Sequence, residues 1–289
     1  LGVICLLLAI PGFSQNTPPA APTEASPQPA VVPQKSKLTP QQKAWQILRN
    51  GAGAHKTDER VMAVRALSLL KGQTRAVILA EKALKDPKPE VRTAGAYALG
   101  EMHAKSAIPQ LKVALEDKEL PVVLASARAL ILMRDPNGYQ VYFEILTGER
   151  KATSGLVAGE METLRDPKKL AVLGFEGGIG FVPYGGIGYT AIKTIIKDDT
   201  SPVRAAAAKL LTDDPDPETT KALAEKCLTD KNELVRSAAL EAIAKRRDPG
   251  LMEKIVPAMD DNKEVVRYTA AAAVISLSAI GSGSHKRAK

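Results

Sequence analysis

Residues 230–249 read DKNELVRSAALEAIAKRRDP, and the chain repeats the skeleton of this stretch. An Asp is followed five residues later by a Val and eight residues after that by an apolar side chain. Asp86/Val91/Leu99, Asp117/Val122/Leu130, Asp198/Val203/Leu211, Asp230/Val235/Ile243 and Asp261/Val266/Val274 all fit. The Val positions step by 31, 81, 32 and 31 residues. A fixed period near 31 residues predicts a stacked array, in which each unit buries its apolar face only against its neighbours.

The unit 86-DPKPEVRTAGAYALGEMHAKSAIPQLKVALED-117 shows what is stacked. Val91, Ala94, Ala98 and Leu99 share one helical face, and Ile108, Leu111 and Leu115 share another. Gly100 is expected to stop the first helix, and Pro109 sits in the first turn of the second. Each unit is therefore a helical hairpin. Composition agrees: aromatics are only 4% of the chain, and helix formers fill the repeats. An Asp-Pro pair thirteen residues after the Val separates the two helices at Asp135-Pro136, Asp216-Pro217 and Asp248-Pro249. Proline has no amide donor and restricts the residue before it, so it ends one helix and opens the next. Asp166-Pro167 marks a fourth unit, stretched by an insertion at about 167–186.

VRTAGAYALG followed by AIPQLKVALED resembles the HEAT-like repeat named after phycobilisome lyases, over roughly residues 58–280. The resemblance implies an all-α, right-handed, armadillo-like α-solenoid of about six hairpins plus a terminal half. It also implies an Asp/Arg ladder between repeats, matched by Asp86/Arg92, Asp198/Arg204, Asp230/Arg236 and Asp261/Arg267. Val123 and Ser154 depart from the ladder. Thr39-Pro40 opens a helix that carries the single Trp45 and is expected to cap the open end of the stack. The repeat region is placed at 39–280.

The ends read differently. Residues 1–14, LGVICLLLAIPGFS, form an apolar run too short for a bilayer, which needs roughly 20 residues, and read as a signal peptide. Residues 15–38 are rich in proline without periodicity and read as a disordered linker; residues 281–289 read as a basic tail. Export to the periplasm or the extracellular space is the expectation, with no transmembrane span after cleavage. Cleavage leaves Cys227 without a partner, at a position where sister repeats have Ala83, Ala114 and Ala258, so a small core site is expected.

The insertion contains 174-GFEGGIGFVPYGGIGYTAI-192. Its six glycines between Gly177 and Gly188 cost a continuous helix roughly 5–6 kcal/mol relative to alanine, which predicts a loop or hairpin. Phe175, Phe181, Tyr184 and Tyr189 lie there. Three readings stay open for these aromatics: packing over neighbouring helices, contact with a partner on a concave face lined by second helices, or contact with a membrane surface. Gly186-Ile-Gly188-Tyr-Thr-Ala191 matches a dinucleotide fingerprint but lacks the strand and downstream acid that the fingerprint needs.

No catalytic residue, metal site or cofactor is read from the sequence. His55, His103 and His285 are scattered, and 213-DDPDPE-218 reads as a solvated turn. HEAT-type metal hydroxylases use His-Glu pairs, which this chain lacks. The formal net charge of +8 favours anionic partners, an envelope surface among them, while export and sparse aromatics argue against nucleic acid. The leading expectation is a non-catalytic, exported scaffold for protein–protein interaction. A lyase-like enzyme, an oxidoreductase and a peripheral envelope-binding protein are the alternatives.

Overall fold

The structure, a computed structural model, describes residues 38–147 and 200–287. The signal-peptide reading, the linker as far as residue 37, the fourth unit with its insertion aromatics, and Asp198 lie outside the described residues. All regular structure among the described residues is helical. α1 spans Pro40–Ala52, α2 Thr57–Ala66, α3 Thr74–Ala83, α4 Pro89–Glu101, α5 Ile108–Ala114, α6 Leu120–Leu132 and α7 Pro136–Thr147. After the fourth unit come α8 (Ser201–Leu210), α9 (Pro217–Lys221), α10 (Glu233–Arg246), α11 (Met252–Ile255) and α12 (Glu264–Arg287). α2, α4, α6, α8, α10 and α12 are first helices of hairpins. The second helices are more broken: α9 passes into a π-helical turn at Ala222–Cys227, and α11 into a 3-10 turn at Val256–Asp260.

The turns inside the hairpins share one device. α4 does not stop at Gly100 but runs to Glu101, and His103 then takes a left-handed φ of 51°. The Ala104 amide returns to the Leu99 carbonyl at 3.0 Å, closing the helix end as a left-handed residue commonly does. Arg134 (φ 62°) and Arg247 (φ 59°) repeat this conformation immediately before Asp135-Pro136 and Asp248-Pro249. Each Asp carboxylate then accepts an amide of the next helix: Asp135 from Asn137 at 3.0 Å, Asp216 from Glu218 at 2.9 Å and Asp248 from Gly250 at 2.8 Å.

Gly100 serves packing instead. A Cβ there would sit 2.9 Å from both Cα and Cβ of Ala129 on α6, so glycine permits the two first helices to approach. In an open helix Gly→Ala gains about 1 kcal/mol. Here the sign reverses: Gly100→Ala is expected to lower stability by about 1–3 kcal/mol, read from a urea unfolding midpoint.

The chain order is not the stacking order. α12 packs on α10 along one side and on α2 along the other, and α1 packs against both α12 and α2. The stack of first helices therefore runs α8, α10, α12, α2, α4, α6. α1 is not a cap on an open end. It supplies the second helix to α12, and the terminal halves of the repeat region combine into one hairpin. Ala44 and Leu48 of α1 are fully buried, as are Ala270 to Ile275 of α12. Gly51 lies so close to α12 that a Cβ would meet the Tyr268 ring at less than van der Waals contact. Lys43 reaches Asp260 at 2.5 Å across the same junction. A capping box starts α1: the Gln42 amide donates to Thr39 Oγ1 at 3.2 Å, and the Thr39 amide donates to Gln42 Oε1 at 2.9 Å.

Candidate functional site: the concave face of the first helices

The first helices form the inner layer. The 3-10 turn Leu67–Leu69, which prolongs α2, touches α10 although α12 stands between them in the stack. Glu241 on α10 likewise acts on Tyr97 on α4, with α12 and α2 between them, as in a layer curved toward its first helices. The expectation that second helices line the concave side is therefore corrected. α12 is enclosed on every side: Ala270 to Ala273, which run almost once round the helix, are all fully buried, and their small side chains permit close neighbours.

The Arg/Asp pairs lie at the starts of these first helices and join one unit to the next. Each Arg carboxylate partner belongs to the following unit, not to its own. Arg60 pairs with Asp86, through Nε at 2.9 Å and Nη2 at 3.0 Å, and Arg92 with Asp117, at 2.7 and 2.8 Å. Arg236 pairs with Asp261 at 2.8 Å through both nitrogens. Arg204 reaches Asp230 through one nitrogen at 3.2 Å. The unit's own Asp offers only its backbone carbonyl: Nη1 of Arg92, Arg236 and Arg267 donates to the carbonyls of Asp86, Asp230 and Asp261. Arg60, which follows Glu rather than Val, was not among the expected ladder residues; its signal is its place 32 residues before Arg92.

For Asp86, Asp117 and Asp261, burial pushes the carboxyl upward. The Arg hydrogen bond and an amide two residues on outweigh it and hold each below the usual carboxylate range. Arg267 lacks this partner because the corresponding position ahead of α2 is Ala54, whose carbonyl accepts from Arg60 at 3.0 Å. Arg267 turns to Glu264 instead, at 3.1 Å. The ladder thus skips the junction between the chain ends.

Five residues beyond each ladder position, the first helices place Lys209, Glu241, Ala272, Arg65, Tyr97 and Arg128 in stack order. These residues form one row. Lys209 pairs with Glu241 at 3.0 Å. The guanidinium carbons of Arg65 and Arg128 lie 5.3 and 5.7 Å from the Tyr97 ring centroid, within cation–π range. Arg128 also donates to Glu101 at 2.9 Å. Burial pushes the Tyr97 phenol up, and Glu101 and Glu241 add to it, so its hydroxyl is a proton donor at neutral pH. That Glu241 acts on Tyr97 reflects the same curvature. This row was not foreseen, though equal spacing from the ladder positions is a signal within the sequence.

Cys227 is half-buried rather than fully enclosed; burial raises its thiol, which disfavours the reactive thiolate. In 213–218, Asp214 accepts from Thr219 Oγ1 at 2.6 Å and from the Asp216 amide at 3.1 Å. His103 Nδ1 lies 3.2 Å from the Leu132 carbonyl. Among the described residues no group of His, Cys, Asp and Glu is arranged to hold a metal ion, and no helix is long and apolar enough to cross a membrane.

Comparison with protein families matches residues 46–132 and 190–275, more than half of the chain, to the family described as HEAT repeats. The chain belongs to the HEAT-repeat family. Its fold is an α-solenoid. Comparison with curated proteins gives no match. Among solved structures, this HEAT-repeat chain is similar to the complex of CpcE and CpcF of phycocyanin lyase from Nostoc. That likeness has 20% identity, 87% of this chain and 100% of that chain covered, and a TM-score of 0.33. It is also similar to human deoxyhypusine hydroxylase in complex with glycerol, at 18% identity, 83% and 97% coverage and a TM-score of 0.32. A designed armadillo repeat protein matches at 17% identity, 83% and 100% coverage and a TM-score of 0.26.

Proposed function

We propose that this HEAT-repeat protein is a non-catalytic scaffold that binds another protein on the concave face of its first helices. The observation that carries the reading is the row Lys209, Glu241, Arg65, Tyr97 and Arg128. It lies five residues beyond the ladder positions. It joins neighbouring first helices through Lys209–Glu241, Arg65–Tyr97 and Arg128–Glu101, yet keeps polar side chains partly exposed. Charged and aromatic groups repeated at one register on a rigid curved surface make a recognition stripe, and Tyr and Arg are the residue types that carry most binding energy at interfaces. The apolar segment at residues 1–14 supports export, so the partner is sought in the cell envelope or outside the cell.

The test is affinity capture from an envelope fraction with the wild-type chain and a Tyr97→Ala/Arg128→Ala variant. The variant is expected to melt at a lower temperature, to remain folded at the temperature of capture as checked by circular dichroism, and to lose the captured protein. A protein retained equally by both would place recognition elsewhere.

A further inference from the structure

Arg65 is the uncompensated cation of the row. Lys209 is neutralised by Glu241 and Arg128 by Glu101, at 3.0 and 2.9 Å. Among the described residues Arg65 makes no ion pair, and its guanidinium lies over the Tyr97 ring. The Tyr97 hydroxyl likewise has no hydrogen-bond partner among them. Arg65 is partly exposed, so solvent reaches its side chain. The Tyr97 ring is flanked by guanidiniums from both neighbouring helices. A planar guanidinium stacked on an aromatic ring leaves its edge free for two parallel hydrogen bonds to a carboxylate.

We infer that the segment of the partner protein lying in the groove is acidic, with one carboxylate bound by the Arg65 edge and the Tyr97 hydroxyl. This inference rests on the scaffold reading and names the chemistry of the partner at that site. Charge complementarity favours it: the row together with Glu101 sums to one excess positive charge, within a chain of net charge +8. Arg128 contributes a second guanidinium, already held by Glu101, that exchanges its partner only when a second carboxylate of the segment arrives. Arg65 therefore carries the larger share.

The experiment uses the full chain and a fluorescein-labelled ten-residue peptide of alternating Glu and Ala, read by fluorescence anisotropy. A Gln/Ala peptide of the same length and vesicles of phosphatidylglycerol serve as comparisons. The expected result is binding of the Glu peptide that weakens at least tenfold in Arg65→Gln, with no change in Lys82→Gln on the second-helix layer. Tyr97→Phe, which keeps the ring and loses the hydroxyl, is expected to weaken it several-fold. Melting curves identify any variant that unfolds; Arg65→Lys then replaces Arg65→Gln, since it keeps the charge but loses the planar fork and is also expected to bind worse.

Equal weakening by Arg65→Gln and Lys82→Gln would reduce the effect to general charge and overturn the assignment. Equal binding of the Gln peptide, or no binding of the Glu peptide, would do the same. Vesicle binding that depends on Arg65 where the peptide's does not would assign this cation to a lipid surface. If the Glu peptide fails while Tyr97→Ala/Arg128→Ala still loses the captured protein, the scaffold reading stands and only the acidic chemistry falls.

Discussion

Removal of residues 38–53 is expected to unfasten both ends of the repeat region at once. α1 lies between α12 and α2, with Ala44, Trp45 and Leu48 buried among them. Without α1, the fully buried run of α12 from Ala270 to Ile275 loses its second helix, and α2 loses the neighbour that precedes it in the stack. Leu48→Ala alone is expected to cost about 2–5 kcal/mol, because its side chain has no accessible surface and the helices around it cannot collapse into the space. Amide exchange is the measurement that decides what α1 does. Protection is expected to fall in residues 264–280 as strongly as in residues 57–70. Loss confined to residues 57–70, with 264–280 unchanged, would return α1 to the role of a cap on one open end.

Arg92→Ala is expected to be the most damaging substitution of a charged side chain. Only 11% of the Arg92 side chain and 14% of the Asp117 side chain are accessible, and removal of one partner leaves the other charged in a poorly solvated place. Loss of one member of a buried pair costs about 3–5 kcal/mol. Arg204→Ala makes the contrast: 41% of that side chain is accessible, its single bond to Asp230 is 3.2 Å, and its Nε lacks a partner. About 1 kcal/mol is expected there.

The ladder also sets a pH dependence. Asp86, Asp117 and Asp261 have carboxyls depressed in the folded state, so their contribution is fully present above the unfolded value near ~3.9. It is lost as pH falls through the lower folded values, because protonation then removes charges that the fold prefers. Urea unfolding of Asp117→Asn should differ from wild type by several kcal/mol at neutral pH, and the gap should narrow steadily below pH 4. A gap that stays constant down to pH 2 would show that hydrogen-bond geometry, not charge, carries the ladder.

The repeat unit was legible in the sequence because its causes are local. Helical spacing of Val91, Ala94, Ala98 and Leu99, Asp-Pro at the hairpin turn and the Asp-to-Val interval each act within about a dozen residues. Such signals recur with the period and identify a stacked helical array without any knowledge of distant contacts. The Arg ladder was legible as a set of residue types, but its pairing was not. A carboxylate one repeat away and one in the same repeat are both reachable on paper. Packing distance chooses the former and leaves a backbone carbonyl for the latter.

Two features were decided only by tertiary structure. Which face is concave depends on how closely neighbouring first helices approach, and this follows from small side chains at Gly100, Ala129 and Ala270 to Ala273 acting together. Periodicity is blind to curvature, since a face reads as apolar or polar whichever way the layer bends. Likewise, nothing local tells the half-repeat at α1 that its partner is α12, more than 200 residues away. Each half presents an apolar face that must be buried. The two faces meet where α1 packs between α12 and α2.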